Sequence, residues 1–233
     1  MRYHHALVIG GSSGIGRELA LQLTRAGAKV VVVARRPLEE PGVLSFQHDV
    51  RKWEDVPELF ARVAQELGGL DLVIYAAGVM PAVGPEEFEF EKDRQMIEVN
   101  VLGAIAWINQ AALRFQAVGA GTIVGIGSVA GDRGRAGQPV YNASKAALAT
   151  YLEAVRNRLW RKGVTVVTIK PGPVRTPMTA HLDLKGALEA EEAARRILAR
   201  IGRSGEHYLK PAHRVAFGMI RLIPGWLFRR LPL

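Results

Sequence analysis

A chain of 233 residues, 48% of them apolar and 23% charged, is sized for one well-buried domain of ordinary globular composition. The absence of cysteine excludes disulfides, thiolate catalysis and cysteine-held metals, and no uninterrupted apolar run approaches the ~18 residues that span a bilayer. The net charge of +9 is local: from Ala193 to Leu233 nine Lys or Arg face the single acid Glu206, leaving +1 for the other 192 residues. That basic end carries no recognisable nucleic-acid reading module and the histidines show no ligand spacing, so neither nucleic acid nor a metal is expected.

In chain order, Ala6 to Gly10 reads as a strand that leads into a turn rich in glycine and serine, Gly11 to Gly16. Leu19, Ala20 and Leu23 recur at helical spacing between Arg17 and Arg25, Gly27 ends the pattern, and Lys29 to Ala34 is a β-branched run. The alternation continues with a strand at Val43 to Phe46, a helix at Asp55 to Leu67 and a strand at Leu72 to Ala76. A helical stretch from about Phe88 to Val118 precedes a strand at Thr122 to Ile126, and a helix from about Val140 to Trp160 precedes one at Val164 to Ile169. A last helix starts near Glu189, and a seventh strand ends near Tyr208 to Pro211.

Valine and isoleucine runs that do not alternate with polar residues, separated by helices, predict an α/β fold. The expected architecture is a Rossmann-type doubly wound parallel sheet in a single domain, residues 1–211, extended by a basic amphipathic tail at 212–233. The first strand begins within about five residues of Met1, which leaves a cleavable leader no room outside the fold, so cytoplasmic residence is expected.

Glycines between a first strand and a first helix let a pyrophosphate approach the backbone and the positive helix end. Gly10, Ser12, Ser13, Gly14, Ile15 and Gly16 are therefore candidate cofactor contacts. The second strand ends Ala34-Arg35-Arg36. An acid there would suit the free ribose of NAD, whereas a guanidinium suits a 2′-phosphate, so Arg35 and Arg36 favour NADP(H). Tyr141 and Lys145 are four apart on a predicted helix and share a face. A free phenol titrates near pH ~10, and a neighbouring cation can lower that value toward neutrality.

The spacing of Gly10, Gly14 and Gly16 resembles the opening of the short-chain dehydrogenase/reductase family, with Ile9 where a threonine usually stands. The resemblance extends over residues 5–178. It implies that Asp49 and Val50 meet the adenine, and that Ala77 and Gly78, the kept half of an Asn-Asn-Ala-Gly motif now reading Tyr75-Ala76-Ala77-Gly78, allow close cofactor approach. It further implies an Asn100, Ser128, Tyr141 and Lys145 tetrad, with Ser128 thirteen residues before Tyr141. In that scheme Tyr141 protonates a carbonyl oxygen, Ser128 positions it, and Lys145 holds the nicotinamide ribose and lowers the tyrosine pKa. Asn100 helps hold a relay water. A Pro-Gly-x-Val-x-Thr match adds Pro171, Val174 and Thr176 to the cofactor contacts, with Val174 and Thr176 meeting the nicotinamide carboxamide.

The implied function is NADPH-dependent interconversion of a carbonyl and an alcohol on an apolar small molecule. A 3-oxoacyl reductase and a catalytically silent NADP-binding interaction module are the alternatives. Only about ten residues separate Met178 from the helix near Glu189, where the family builds a two-helix substrate lobe; the site is expected to be more open or closed by another segment. The Asp-Gly-Gly ending of tetrameric relatives is absent, so the expected assembly is a homodimer through the helices near Asn100 and Tyr141. In the tail, Val215, Met219, Leu222 and Ile223 fall on one helical side and Arg214 and Arg221 on another, before Pro224-Gly225 and the group Trp226, Leu227, Phe228, Arg229, Arg230. Residues 213–233 are expected either to pack on the domain or a partner subunit, or to make peripheral contact with an anionic membrane.

Overall fold

The computed structural model describes residues 3–231. Met1 and Arg2, at the start of the expected domain, and Pro232 and Leu233, at the end of the tail, lie outside the described residues. The described chain forms one parallel sheet with helices on both faces. Its strands are β1 His5–Ile9, β2 Lys29–Ala34, β3 Val43–Gln47, β4 Leu72–Tyr75, β5 Gly121–Ile126, β6 Val164–Lys170 and, after a two-stranded ribbon of β7 Val174–Arg175 and β8 Leu188–Glu189, β9 Gly205–Tyr208. The order β3-β2-β1-β4-β5-β6-β9 winds outward in two directions from β1, as the valine and isoleucine runs predicted. The helices are α1 Gly14–Arg25, α2 Val56–Leu67, α3 Phe90–Ile97, α4 Gly103–Val118, α5 Pro139–Leu159, α6 Ala190–Leu198, α7 Pro211–Leu222 and α8 Gly225–Phe228.

The apolar runs do not alternate because both sides of each central strand are covered. In β1, Leu7 and Ile9 join the core under α2, α4 and α5, while Ala6 and Val8 join the core under α1 and α6. Val31 and Val33 of β2 divide in the same way from Val30 and Val32. Each such fully buried valine, leucine or isoleucine contributes roughly 1.5–3 kcal/mol through removal from water. The helical stretch Phe90–Val118 is long and apolar enough by composition to cross a membrane, but Trp107, Ile108, Ala111 and Phe115 bury its apolar side against the sheet.

Two features escape periodicity. The stretch from Phe90 to Val118 is not uniform, because Glu98–Leu102 forms a π-helical turn between α3 and α4; such single-turn widenings re-aim side chains. The second is a buried ionic cluster. Lys170, at the end of β6, places its Nζ 2.8 Å from Asp132 and 2.9 Å from Glu206, with Lys170 and Asp132 fully buried. The Tyr208 hydroxyl donates to Asp132 Oδ2 at 2.9 Å, and Arg221 of α7 pairs with Asp132 Oδ1. Four segments distant in sequence thus meet at one carboxylate.

Removing one member of a buried pair leaves an uncompensated charge, which costs ~3–5 kcal/mol. Lys170→Ala is accordingly expected to lower the urea midpoint by an amount equivalent to a loss in that range. A loss under ~1 kcal/mol, the size of an exposed pair, would show that the cluster does not hold the last strands to the sheet.

Candidate active site

The site begins with a steric constraint after β1. Gly10 has φ of +84°, and a Cβ on it would stand 2.4 Å from the Ala77 nitrogen. A Cβ on Gly16 would stand 2.2 Å from the Gly10 carbonyl oxygen. Glycine is the residue that permits this approach. The turn therefore lies flat across the end of β4 and delivers the chain into α1, whose N-cap Ser13 makes no side-chain capping bond. The free N–H groups of that first turn face the switch point between β1 and β4, where the strand order reverses.

A cleft of about 530 Å³ runs along the carboxyl ends of the strands from this point. One end is bordered by Ser12, Ser13, Gly14, Ile15 and Gly16, then by Arg35 and Arg36 after β2, and by Asp49 and Val50 after β3. Arg51 holds the Asp49 carboxyl below the usual carboxylate range through hydrogen bonds, with an Nη2–Oδ2 distance of 2.7 Å. His48 also lines this end, and burial pushes its imidazole pKa down. Ala77 and Gly78 form the floor, and Pro171, Val174 and Thr176 form the wall after β6. Thr176 caps the turn Pro177–Thr179 reciprocally with Thr179, its backbone N–H donating to Thr179 Oγ1 at 3.1 Å.

Ser128, Tyr141 and Lys145 line the same cleft. Ser128 follows β5 and caps a short 3-10 helix, Val129–Asp132, accepting from the Ala130 nitrogen at 3.0 Å. Its hydroxyl also acts on the Tyr141 phenol, drawing that phenol's pKa down against the effect of burial. The segment before α5 turns at Gln138, φ +59°, and Asn142 Nδ2 fastens it by donating to the carbonyls of Gly137 at 3.0 Å and Arg135 at 3.3 Å. Lys145, one helical turn beyond Tyr141, is buried, donates to the Ile126 carbonyl at 3.1 Å and lies 5.7 Å from the centre of the Tyr141 ring.

The electrostatics differ from the expectation built on the tyrosine–lysine spacing. Burial pushes the Tyr141 phenol above its ordinary value, and the opposing pull comes from the Ser128 hydroxyl and from the charge of Arg135. Lys145 feels burial more strongly, and its ammonium is brought down to about 8. Asn100 alone of the candidates stands behind the cleft wall. From the π-helical turn, its Oδ1 accepts from Val79 nitrogen at 2.8 Å, and its Nδ2 donates to Val79 oxygen at 3.0 Å and Ser144 Oγ at 3.1 Å. It still reaches the shared space: a Cβ on Gly78 would lie 3.4 Å from Asn100 Oδ1 and 3.5 Å from Lys145 Nζ.

Tyr75 explains how this edge keeps its shape without asparagine amides at positions 75 and 76. Its buried hydroxyl donates to the Val99 carbonyl at 2.5 Å, tying β4 to the turn that carries Asn100.

Residues 4–186 match the short chain dehydrogenase family. The chain belongs to that family. An uncharacterized oxidoreductase of Myxococcus xanthus is 38% identical over 191 residues, 77% of this chain and 76% of the relative. One of Staphylococcus aureus is 32% identical over 204 residues, covering 83% and 88%. A short-chain dehydrogenase of Burkholderia cenocepacia, solved in complex with NADP, shares the fold with a TM-score of 0.86 at 24% identity over 99% of this chain and 98% of its own.

In this short-chain dehydrogenase the expected opening at residues 179–188 is met by a segment from the tail. His213 and Phe217 of α7 line the cleft beside Met178, Leu182 and Leu184. The His213 ring lies against Gly172, where a Cβ would stand 2.1 Å from its Cε1, and it meets Phe217 edge-on at 6.0 Å. The sequence marked Met178 as the edge of the shortened region and His213 as the start of the tail, but gave none of the five a place in the cleft. Of the two helical sides expected for the tail, the apolar one is exposed at Val215, Met219 and Leu222, and on the other Arg221 is held by Asp132.

Lys145 carries a positive charge below about pH 8 and loses it as the pH rises through that value. A pH profile of kcat/KM is expected to be level on the acid side and to fall tenfold per unit above the lysine titration. A profile level up to about pH 10, the ordinary lysine range, would contradict this placement of Lys145.

Proposed function

We propose that the protein is an NADP(H)-dependent oxidoreductase that interconverts a carbonyl and an alcohol on an apolar small molecule. The observation that carries this reading is that Tyr141, Ser128 and Lys145 line one cleft, with the Ser128 hydroxyl acting on the Tyr141 phenol and the Lys145 ammonium beside the Gly78 floor. The same cleft fits a dinucleotide phosphate. The glycine turn admits a pyrophosphate where side chains would clash, and the uncapped start of α1 offers it N–H donors. Arg35 and Arg36 are exposed at the end of β2 with no acid at the corresponding position, an arrangement suited to a ribose 2′-phosphate. The NADP found in the Burkholderia structure supports the same choice.

When bound, NADPH supplies the hydride. The protein's own groups handle the oxygen and its proton. A phenol raised by burial stays protonated at neutral pH, so Tyr141 can give its proton to a developing alkoxide while Ser128 holds that oxygen in place. The ammonium of Lys145, held by the Ile126 carbonyl, supplies positive charge beside the reacting oxygen and the ribose. Asn100 fixes the Val79 backbone and the Ser144 hydroxyl, so its role is to position the wall against which Lys145 lies.

The substrate end of the cleft is apolar, with Met178, Leu182, Leu184 and Phe217 on its lining, which favours a greasy carbonyl compound. A homodimer through α4 and α5 belongs to the same proposal; Leu113 on α4 is exposed in the single chain. So does residence in the cytoplasm.

Cofactor choice tests the reading directly. The protein is expected to bind NADPH more tightly than NADH by about tenfold or more, and Arg35→Asp is expected to narrow or reverse that ratio through like-charge repulsion. Titration of both cofactors into the two proteins measures this. Equal affinities in the unaltered protein would overturn the assignment of Arg35.

A further inference from the structure

The tail has one side committed to the domain and another committed to nothing within it. On the inward side, Phe217 and His213 cover the cleft, Arg221 pairs with buried Asp132, and Arg133 donates to the Arg221 carbonyl at 3.1 Å. Arg133 also lies 4.6 Å from the centre of the Phe228 ring. These contacts fix the orientation of both α7 and α8. On the outward side, Val215, Met219, Leu222 and Trp226 are 65%, 62%, 83% and 60% exposed. They follow one another at steps of four, three and four residues, so a single apolar stripe continues from α7 across the Pro224 break into α8.

The charge around that stripe decides what covers it. Arg214, Arg229 and Arg230 are exposed, and no acid among the described residues pairs with them. Two copies meeting on this face would bring the same arginines together, which like-charge repulsion opposes. An anionic lipid surface offers the opposite complement: phosphate headgroups for the guanidinium groups and an acyl boundary for Leu222, Met219 and Trp226. Tryptophan beside apolar and cationic side chains suits that boundary, where one part of the indole is buried and the other wet.

We propose that the outer face of α7 and α8 docks on an anionic lipid bilayer. Since the inner face of α7 roofs the cleft, docking places the mouth of the cleft at the lipid boundary, from which an apolar substrate can enter. The docking itself stands independently of the reaction assigned above.

The experiment is co-sedimentation of the full chain with vesicles of phosphatidylcholine alone and of phosphatidylcholine mixed with phosphatidylglycerol. Binding is expected to the mixed vesicles, to be weaker by about tenfold or more on phosphatidylcholine alone, and to weaken as salt rises. Met219→Glu combined with Trp226→Glu, and separately Arg229→Gln combined with Arg230→Gln, are each expected to reduce it by about tenfold or more. All four side chains are largely solvent-facing, so thermal unfolding and NADPH titration of the variants should match the parent. No binding by the intact protein, or binding unchanged in both variants, would overturn the proposal. So would an oligomer that dissociates in the Met219→Glu, Trp226→Glu variant with no vesicle binding by the parent, which would assign the face to a second copy.

Discussion

The Gly10 turn passes so near the end of β4 that no side chain fits between them. That contact sets the geometry of everything above it. Because the turn is flat, α1 begins immediately over the β1–β4 switch point and its unpaired N–H groups face the cleft. Because Ala77 and Gly78 lie directly beneath, the floor is open backbone, and Lys145 and Asn100 can approach the same spot from α5 and from the π-helical turn. Elsewhere the valine-rich strands can accept conservative repacking, but at Gly10 even a methyl group displaces backbone.

The fold was legible because its signal is repeated. Each buried strand is a short β-branched run and each crossover an amphipathic helix, so a local error in one element leaves the alternation intact. The first half of the site was legible for a related reason: close backbone approach requires glycine, and an anion requires donors, so Gly10, Gly14, Gly16, Arg35 and Arg36 announce their chemistry by residue type. Tyr141 and Lys145 could be placed together from helical spacing alone. Their titration could not, because burial, the Ser128 hydroxyl and Arg135 all act on the phenol through the tertiary structure.

The less legible parts share one cause, namely that periodicity identifies a face but not what it meets. α7 carries two stripes, with His213 and Phe217 on one and Val215 and Met219 on the other, and only the position of Asp132 and of the cleft selects the first as inward. Tyr75 reads as one more apolar strand residue, yet its hydroxyl replaces the bracing expected of an amide by reaching the Val99 carbonyl. Lys170 and Asp132 lie 38 residues apart and nothing local marks them as partners. Together these contacts bring α7 against the cleft, joined through Asp132 to the segment that begins at Ser128.

The central claim is that Tyr141 transfers the proton while the rest of the cleft binds and orients. Phenylalanine at that position keeps the ring and removes only the transferable proton. The decisive measurement is kcat of Tyr141→Phe with a reducible carbonyl substrate, set beside the NADPH dissociation constant of the same variant. Turnover reduced by ~10²- to 10⁴-fold with cofactor affinity retained is the result predicted here. Turnover close to that of the unaltered protein would contradict it.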